Sequence, residues 1–396
     1  MQRCYQLFVR QDFEECLTLI EDLSGTISVP SDFLLCIKGL IYRQQGEVQQ
    51  SLQLFQQAAA LNPNSHDATK QVARTLHLLA RYQEAIETYE EVEAALPADW
   101  EVLHHKGLCY ASLGDHSKAT DVWLRAISIQ PRDATQVELI KSYMQLGNTR
   151  EALQTGVDAL EVSPENGELL SLIGMLYMQK GEVYRAFDLL GSALALCPRD
   201  TRTILAAGSI MQDHSDYDVA LMKYRVAAVH APNSPQLWNN IGMCLLGQQK
   251  YVAAISCLKK ALYLGPFEWM ISHNLGIVHL CTQQFASAFH YFSASINLNP
   301  VHAHSYMYMG MALAKLDDFE NACHAYDKAV QLGGDMLIHL NYAVTLYTHD
   351  EHDAARQHAL QVEELFKTHP ESPQCSESRI LQHRERLAVL LAPDSL

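Results

Sequence analysis

Along the stretch PQLWNNIGMCLLGQQKYVAAISCLKKALYLGP, residues 235–266, apolar positions recur at helical spacing in two successive runs. That rhythm predicts two amphipathic helices joined by a short turn. Gly242 sits inside the first run, where a glycine costs about 1 kcal/mol against alanine. The layout is periodic. Prolines stand at Pro63, Pro97, Pro131, Pro164, Pro198, Pro232, Pro266 and Pro300, spaced 34, 34, 33, 34, 34, 34 and 34. Gly242 belongs to a ladder on the same period with Gly39, Gly107, Gly174, Gly208, Gly276 and Gly310. Twelve residues later runs a small-residue ladder, Ala85, Ala119, Ala152, Ala186, Ala220, Ala254, Ala288, Ala322 and Ala355, with Ser51 and Cys16 as small substitutes. A further seven residues on come Ala58, Ala126, Ala159, Ala193, Ala227, Ala261 and Ala329. Between the last two ladders falls a bulky residue: Phe55, Tyr89, Trp123, Leu190, Tyr224, Leu258, Phe292 or Tyr326.

The order small, small, bulky, small, proline across two antiparallel helices is similar to the tetratricopeptide repeat. The expected fold is therefore all-α, a right-handed superhelical solenoid of tetratricopeptide helix hairpins. Gly242 on a first helix is expected to face Ala254 on the second, both lacking bulk so that the backbones approach, with Leu258 filling the space beside them. Enlarging either small residue then costs roughly 1–3 kcal/mol by overpacking. Proline ends each second helix, because its ring and missing N–H cannot continue one.

In this register, 1–31 is an incomplete repeat and linker, 32–368 holds about ten repeats, 369–376 is a linker and 377–392 a capping helix. Ile380, Leu387 and Leu391 form the stripe by which that last helix covers the end of the array. The short first unit reads as an open edge, either a truncation or a docking surface. Gly156 occupies a bulky slot, which predicts loose packing and a flexible point. Gly333 and Gly334 replace the proline of the ninth full repeat, which predicts a helix stopped by a left-handed glycine.

Composition narrows the functions. At 396 residues the chain exceeds what one hydrophobic core holds, which suits an array of small units. A formal net charge of −16 argues against nucleic acid or an anionic membrane as partner. No apolar run approaches spanning length, so direct membrane insertion is not expected. Ten cysteines without a CxxC pair read as reduced packing residues of an intracellular, soluble protein. GxxxxGK, HExxH and GxSxG motifs are missing, and neither His302 with His304 nor His349, His352 and His358 has a cysteine pair to complete a metal site. The expectation is no catalytic residue, no metal and no cofactor.

Function then falls to first-helix residues not used for packing. The sixth position reads Ile37, Gln71, His105, Glu138, Leu172, Ala206, Asn240, Asn274, Tyr308 and Asn341. Asn240 and Asn274, with Asn341 further on, offer amides that bind an extended backbone through paired donor and acceptor. Met175, Met178, Met243, Met307 and Met311 supply adaptable apolar walls. The competing reading is ordinary interhelical packing for the methionines and local bonding for the asparagines. The clamp by which chaperone-binding repeats hold a C-terminal carboxylate is not matched by Lys70, Arg74, His105, Ala134 and Glu138.

The segments ILAAGSIMQDHSDYDVALMKYRVAA, LWNNIGMCLLGQQKYVAAISCLKKA and NLGIVHLCTQQFASAFHYFSASINLNP together resemble the Bardet-Biedl syndrome protein 4 family. The resemblance weakens outward, includes exposed positions such as Asp218, and spans most of the chain. It implies a noncatalytic scaffold subunit of the BBSome, a coat-like complex of ciliary membrane-protein trafficking. Other BBSome subunits, including a small extended one, are the implied partners, with centriolar-satellite and dynactin proteins beside them. The implied locations are cytoplasm, cilium, basal body and centriolar satellites. Two other readings stay open: an adaptor of a ubiquitin-ligase or chaperone assembly, and the repeat part of a protein glycosyltransferase.

Overall fold

Each second helix stops two residues before its proline, and each following first helix starts on a polar cap. The side chains of Asp99, Asn166, Asp200 and Ser234 accept backbone N–H groups of the turn they precede. The computed structural model describes residues 2–26, with side chains to residue 23, residues 31–368, and Leu381, Gln382, Arg384 and Glu385. The linker expected at 369–376, and all but those four residues of the capping helix at 377–392, lie outside the described residues.

Among the described residues the secondary structure is helical throughout. The chain divides into two compact units, Met1–Pro198 and Arg199–Leu396. The first holds α1 (Gln2–Val9), α2 (Phe13–Thr26), α3 (Asp32–Gln44), α4 (Val48–Leu61), α5 (His66–Leu78), α6 (Tyr82–Ala95), α7 (Trp100–Ser112), α8 (His116–Ile129), α9 (Asp133–Gln145), α10 (Thr149–Val162), α11 (Gly167–Gln179) and α12 (Val183–Leu196). The second holds α13 (Thr201–Asp213), α14 (Tyr217–His230), α15 (Pro235–Gly247), α16 (Tyr251–Leu264), α17 (Trp269–Cys281), α18 (Phe285–Leu298), α19 (Ala303–Ala314), α20 (Phe319–Gly333), α21 (Met336–Thr348) and α22 (His352–Thr368).

Within each unit every helix packs on its hairpin partner and on the helix that follows. First helices also touch the next first helix, as α3 does α5 and α15 does α17. This close row of first helices is the inner side of the stack in each unit, and the result is an all-α tetratricopeptide solenoid.

The glycine ladder works differently from the expected contact of small residue on small residue. A Cβ on Gly242 would meet Leu258 Cγ at 2.7 Å, whereas Ala254 contributes only its carbonyl oxygen at 3.4 Å. The bulky side chain itself is seated over the bare Cα, as are Phe55 on Gly39, Trp123 on Gly107, Leu190 on Gly174, Tyr224 on Gly208, Phe292 on Gly276 and Tyr326 on Gly310. Ala119, Ala186, Ala220, Ala254, Ala288 and Ala322 are fully buried beside these seats. Where serine replaces alanine, Ser51 Oγ donates to the Gly39 carbonyl at 2.7 Å. Cys16 Sγ does the same to Cys4 in the short first hairpin, at 3.3 Å.

Two expectations are corrected. Gly156 leaves no loose spot: a Cβ there would meet Ile173 Cγ1 at 2.7 Å and Ile140 Cδ1 at 3.6 Å, and both isoleucines are buried. Ile140 stands where the ladder elsewhere has glycine, so bulk and gap have changed helices. At the end of α20, neither Gly333 nor Gly334 is left-handed; Gly334 has φ −64°. Its lack of a side chain serves His339, whose Nε2 would lie 2.9 Å from a Cβ.

The turn inside each hairpin carries its own periodic feature. One residue there is left-handed: Gly46, Gly114, Gly147 and Gly181 in the first unit, but also Gln11 and Ala80, and Ser215, Gln249, Gln283, Asp317 and Asp350 in the second.

Candidate partner-binding face

In the second unit, the asparagines of α15 and α17 form a chain of bonds. Asn274 Nδ2 donates to Asn239 Oδ1 at 2.8 Å, Asn239 Nδ2 to Asn240 Oδ1 at 3.3 Å, and Asn240 Nδ2 to the Tyr224 hydroxyl at 3.4 Å. Tyr224 is fully buried on its glycine seat, so the relay is anchored in the core and runs outward along the inner row. Asn239, at the fifth position, is the bridge that a scan of sixth positions misses. Each amide keeps an N–H, and Asn274 Oδ1 accepts no bond among the described residues. These are the donor and acceptor a peptide group needs. Met243 stands one helical turn beyond Asn239, half buried.

The other candidates separate. Asn341 Nδ2 donates to Leu337 O within α21 at 2.8 Å and to Met307 Sδ at 3.5 Å. Met307 is 0% exposed in the core of α19, α20 and α21, so it cannot wall a groove, and Asn341 is bonded locally. Met311 packs half buried against the same core. Met175 packs half buried against the core cluster of α9, α10 and α11 in the first unit, where Met178 is also half buried. Between Asn274 of α17 and Asn341, Tyr308 stacks on Phe292 at 5.7 Å and meets His273 edge-on.

The cations of the unmatched carboxylate clamp are occupied internally. Lys70 Nζ lies 2.5 Å from Asp99, which also caps α7, and Arg74 pairs with Glu101. His302 and His304 are bonded too, to Ser305 Oγ at 2.9 Å and to Asp335 at 3.0 Å. His358 Nδ1 meets His339 Nδ1 at 2.9 Å, and His349 stacks on Phe319 at 4.4 Å.

Burial pushes the His105 imidazole down to about 3, helped by Arg74, and the His273 imidazole down to about 4, helped by His302. The Asp335 hydrogen bond raises His304. For His105 and His273 the folded value lies below the unfolded value of about 6.5. Their contribution to stability is therefore complete above pH 6.5 and is lost as pH falls. The His304 contribution is present below 6.5 and is lost as pH rises through its raised value. We expect the urea midpoint to drop between pH 6.5 and 4, at up to about 1.4 kcal/mol per pH unit for each buried imidazole. Combined His105→Gln and His273→Gln should flatten that limb; an unchanged slope would contradict the assignment.

Tetratricopeptide-repeat models match residues 38–99, 79–134, 205–268 and 303–332. The chain is 45% identical to BBSome complex member BBS4 of Bos taurus over 353 residues, covering 89% of this chain and 68% of that protein. It is 32% identical to the BBSome complex member BBS4 homolog of Drosophila melanogaster, covering 86% and 74%. Among solved structures, human IFIT1, a dimer with m7Gppp-AAAA, superposes with TM-score 0.55 at 15% identity over 94% of this chain and 93% of that one, a likeness of fold alone.

Proposed function

The chain belongs to the BBS4 family of tetratricopeptide proteins, and from that membership we propose that it is a noncatalytic scaffold subunit of the BBSome, acting in ciliary membrane-protein trafficking. Its inner helix row holds an extended segment of another subunit, and its places of work are the cilium, the basal body and the centriolar satellites. The observation that carries the binding reading is the relay of Asn274, Asn239 and Asn240 along α15 and α17, with unused amide donors and an unused acceptor on one face. A peptide backbone offers one donor and one acceptor per residue, so such a row grips main chain without demanding a particular side chain. Half-buried Met243 beside it adapts to the partner's apolar groups.

Asn240 is a poor position for a test, because removing it strands the buried Tyr224 hydroxyl. Combined Asn239→Ala and Asn274→Ala spares that bond. At about 0.5–1.5 kcal/mol per hydrogen bond, the pair should weaken capture of the partner about tenfold with helix content unchanged. Affinity purification of tagged wild type and variant from ciliated cells checks this. Undiminished recovery of BBSome subunits by the variant would end the groove reading.

A further inference from the structure

The second-helix slot seated on the small-residue ladder holds tyrosine three times, and the hydroxyls differ. Tyr224 receives Asn240 at 3.4 Å, and Tyr326 meets Thr345 Oγ1 at 3.0 Å. Tyr89 is 1% exposed, and its hydroxyl has no hydrogen-bond partner. The residue placed to serve it is His105, at the sixth position of α7, as Asn240 is in α15. The His105 ring instead stacks parallel to the phenol, centroids 6.3 Å apart. A buried group left unpaired in this way is costly, and it calls for a partner from outside.

Two arginines act electrostatically on the same phenol. Arg43, at the end of α3, lies half buried over the Phe55 ring at 5.6 Å, and it donates to Gln71 Oε1 at 2.9 Å rather than to a carboxylate. Gln71 is one turn from Arg74 on α5. Arg74 shares Glu101 with Lys70, and its Nε–H is buried without an acceptor. Burial and the neighbouring Arg74 charge both depress Arg43, and both guanidiniums act on the Tyr89 hydroxyl. In a chain of net charge −16, Arg43 pairs with no carboxylate among the described residues, and Arg74 shares Glu101 with Lys70.

We propose that Arg43, Arg74 and Tyr89 form a pocket for the carboxylate of an Asp or Glu side chain on an extended partner segment lying along α3, α5 and α7. The carboxylate accepts from the Tyr89 hydroxyl, from Arg74 Nε–H and from a free N–H of Arg43, each a charge-assisted bond. This differs from the clamp for a C-terminal carboxylate, since Lys70 is consumed by Asp99. The proposal rests on the reading that first helices hold extended segments. It concerns other residues, so the Asn239 and Asn274 variant tests that reading and leaves this pocket intact.

The test selects phage-displayed random peptides on the full chain and on its Arg43→Met variant. Enrichment of Asp or Glu at a fixed position is expected on wild type and not on the variant. In the best peptide, changing that acid to its amide should weaken binding to wild type about tenfold or more and to R43M hardly at all. Tyr89→Phe supplies a second readout: binding should fall severalfold, while the urea midpoint of the free chain stays level or rises, because the hydroxyl has nothing to lose. No acidic enrichment, enrichment that survives in R43M, or a Tyr89→Phe chain that is destabilised overturns the pocket. Inorganic phosphate titrated against the peptide should displace it no better than chloride of equal ionic strength. Selective displacement would mark a phosphate site and equally overturn the proposal.

Discussion

Gly107→Ala is expected to destabilise the first unit by about 3 kcal/mol, the upper end of what one added methyl costs in a packed core. The added Cβ would overlap Trp123 Nε1 and neighbouring ring atoms. Trp123 is fully buried, and its Nε1 donates to His104 O at 3.0 Å, so the ring cannot withdraw without breaking that bond. Gly242→Ala should cost less, about 1–2 kcal/mol, because Leu258 is smaller and turns more freely. Urea unfolding of the two variants measures the difference. Equal, negligible losses would mean that the glycines are not seats for the second-helix side chains.

The second large effect concerns the exchanged pair on α9 and α10. Ile140→Gly alone should cost about 3–5 kcal/mol, through a cavity and a glycine within a helix. Gly156→Leu alone should cost about 2–3 kcal/mol, because its Cβ would collide with Ile173 Cγ1 at 2.7 Å while the rest of the side chain would need the space beside Ile140. Combining them restores the arrangement of the neighbouring repeats, glycine below and bulk above. The double variant should therefore be more stable than additivity predicts by about 1 kcal/mol, the contact with Ile173 being left in place. Strict additivity in a double-mutant cycle would show that the two positions do not share one space.

Helix ends were legible because they depend on chemistry that repeats, a proline two residues past each second helix, whereas the polar caps that start the first helices are seen only in the structure. The space at Gly156 is not legible from a single ladder, because its filling comes from Ile173 on the following helix, with Ile140 beside it. The left-handed turn residues escaped notice because only some are glycine, and Ala80 or Gln249 gives no compositional sign of a positive φ. Gly333 and Gly334 misled for the opposite reason, since a glycine needed for the approach of His339 looks the same in sequence as one needed for φ. Asn240 and Asn274 were visible by register, whereas Asn239, which joins them, depends on side-chain direction across helices. Met307 could not be told from Met243, because depth within the stack is set by the neighbours of each helix.

On the proposed function, the inner row of first helices, and not the outer surface, holds another BBSome subunit. A photo-crosslinking amino acid placed at Met243 on α15, and separately at Val252, which is 85% exposed on α16, tests it in ciliated cells. The account predicts that position 243 links to one continuous stretch of another BBSome subunit while position 252 does not. Links to BBSome subunits from 252 alone, with 243 silent, would contradict it.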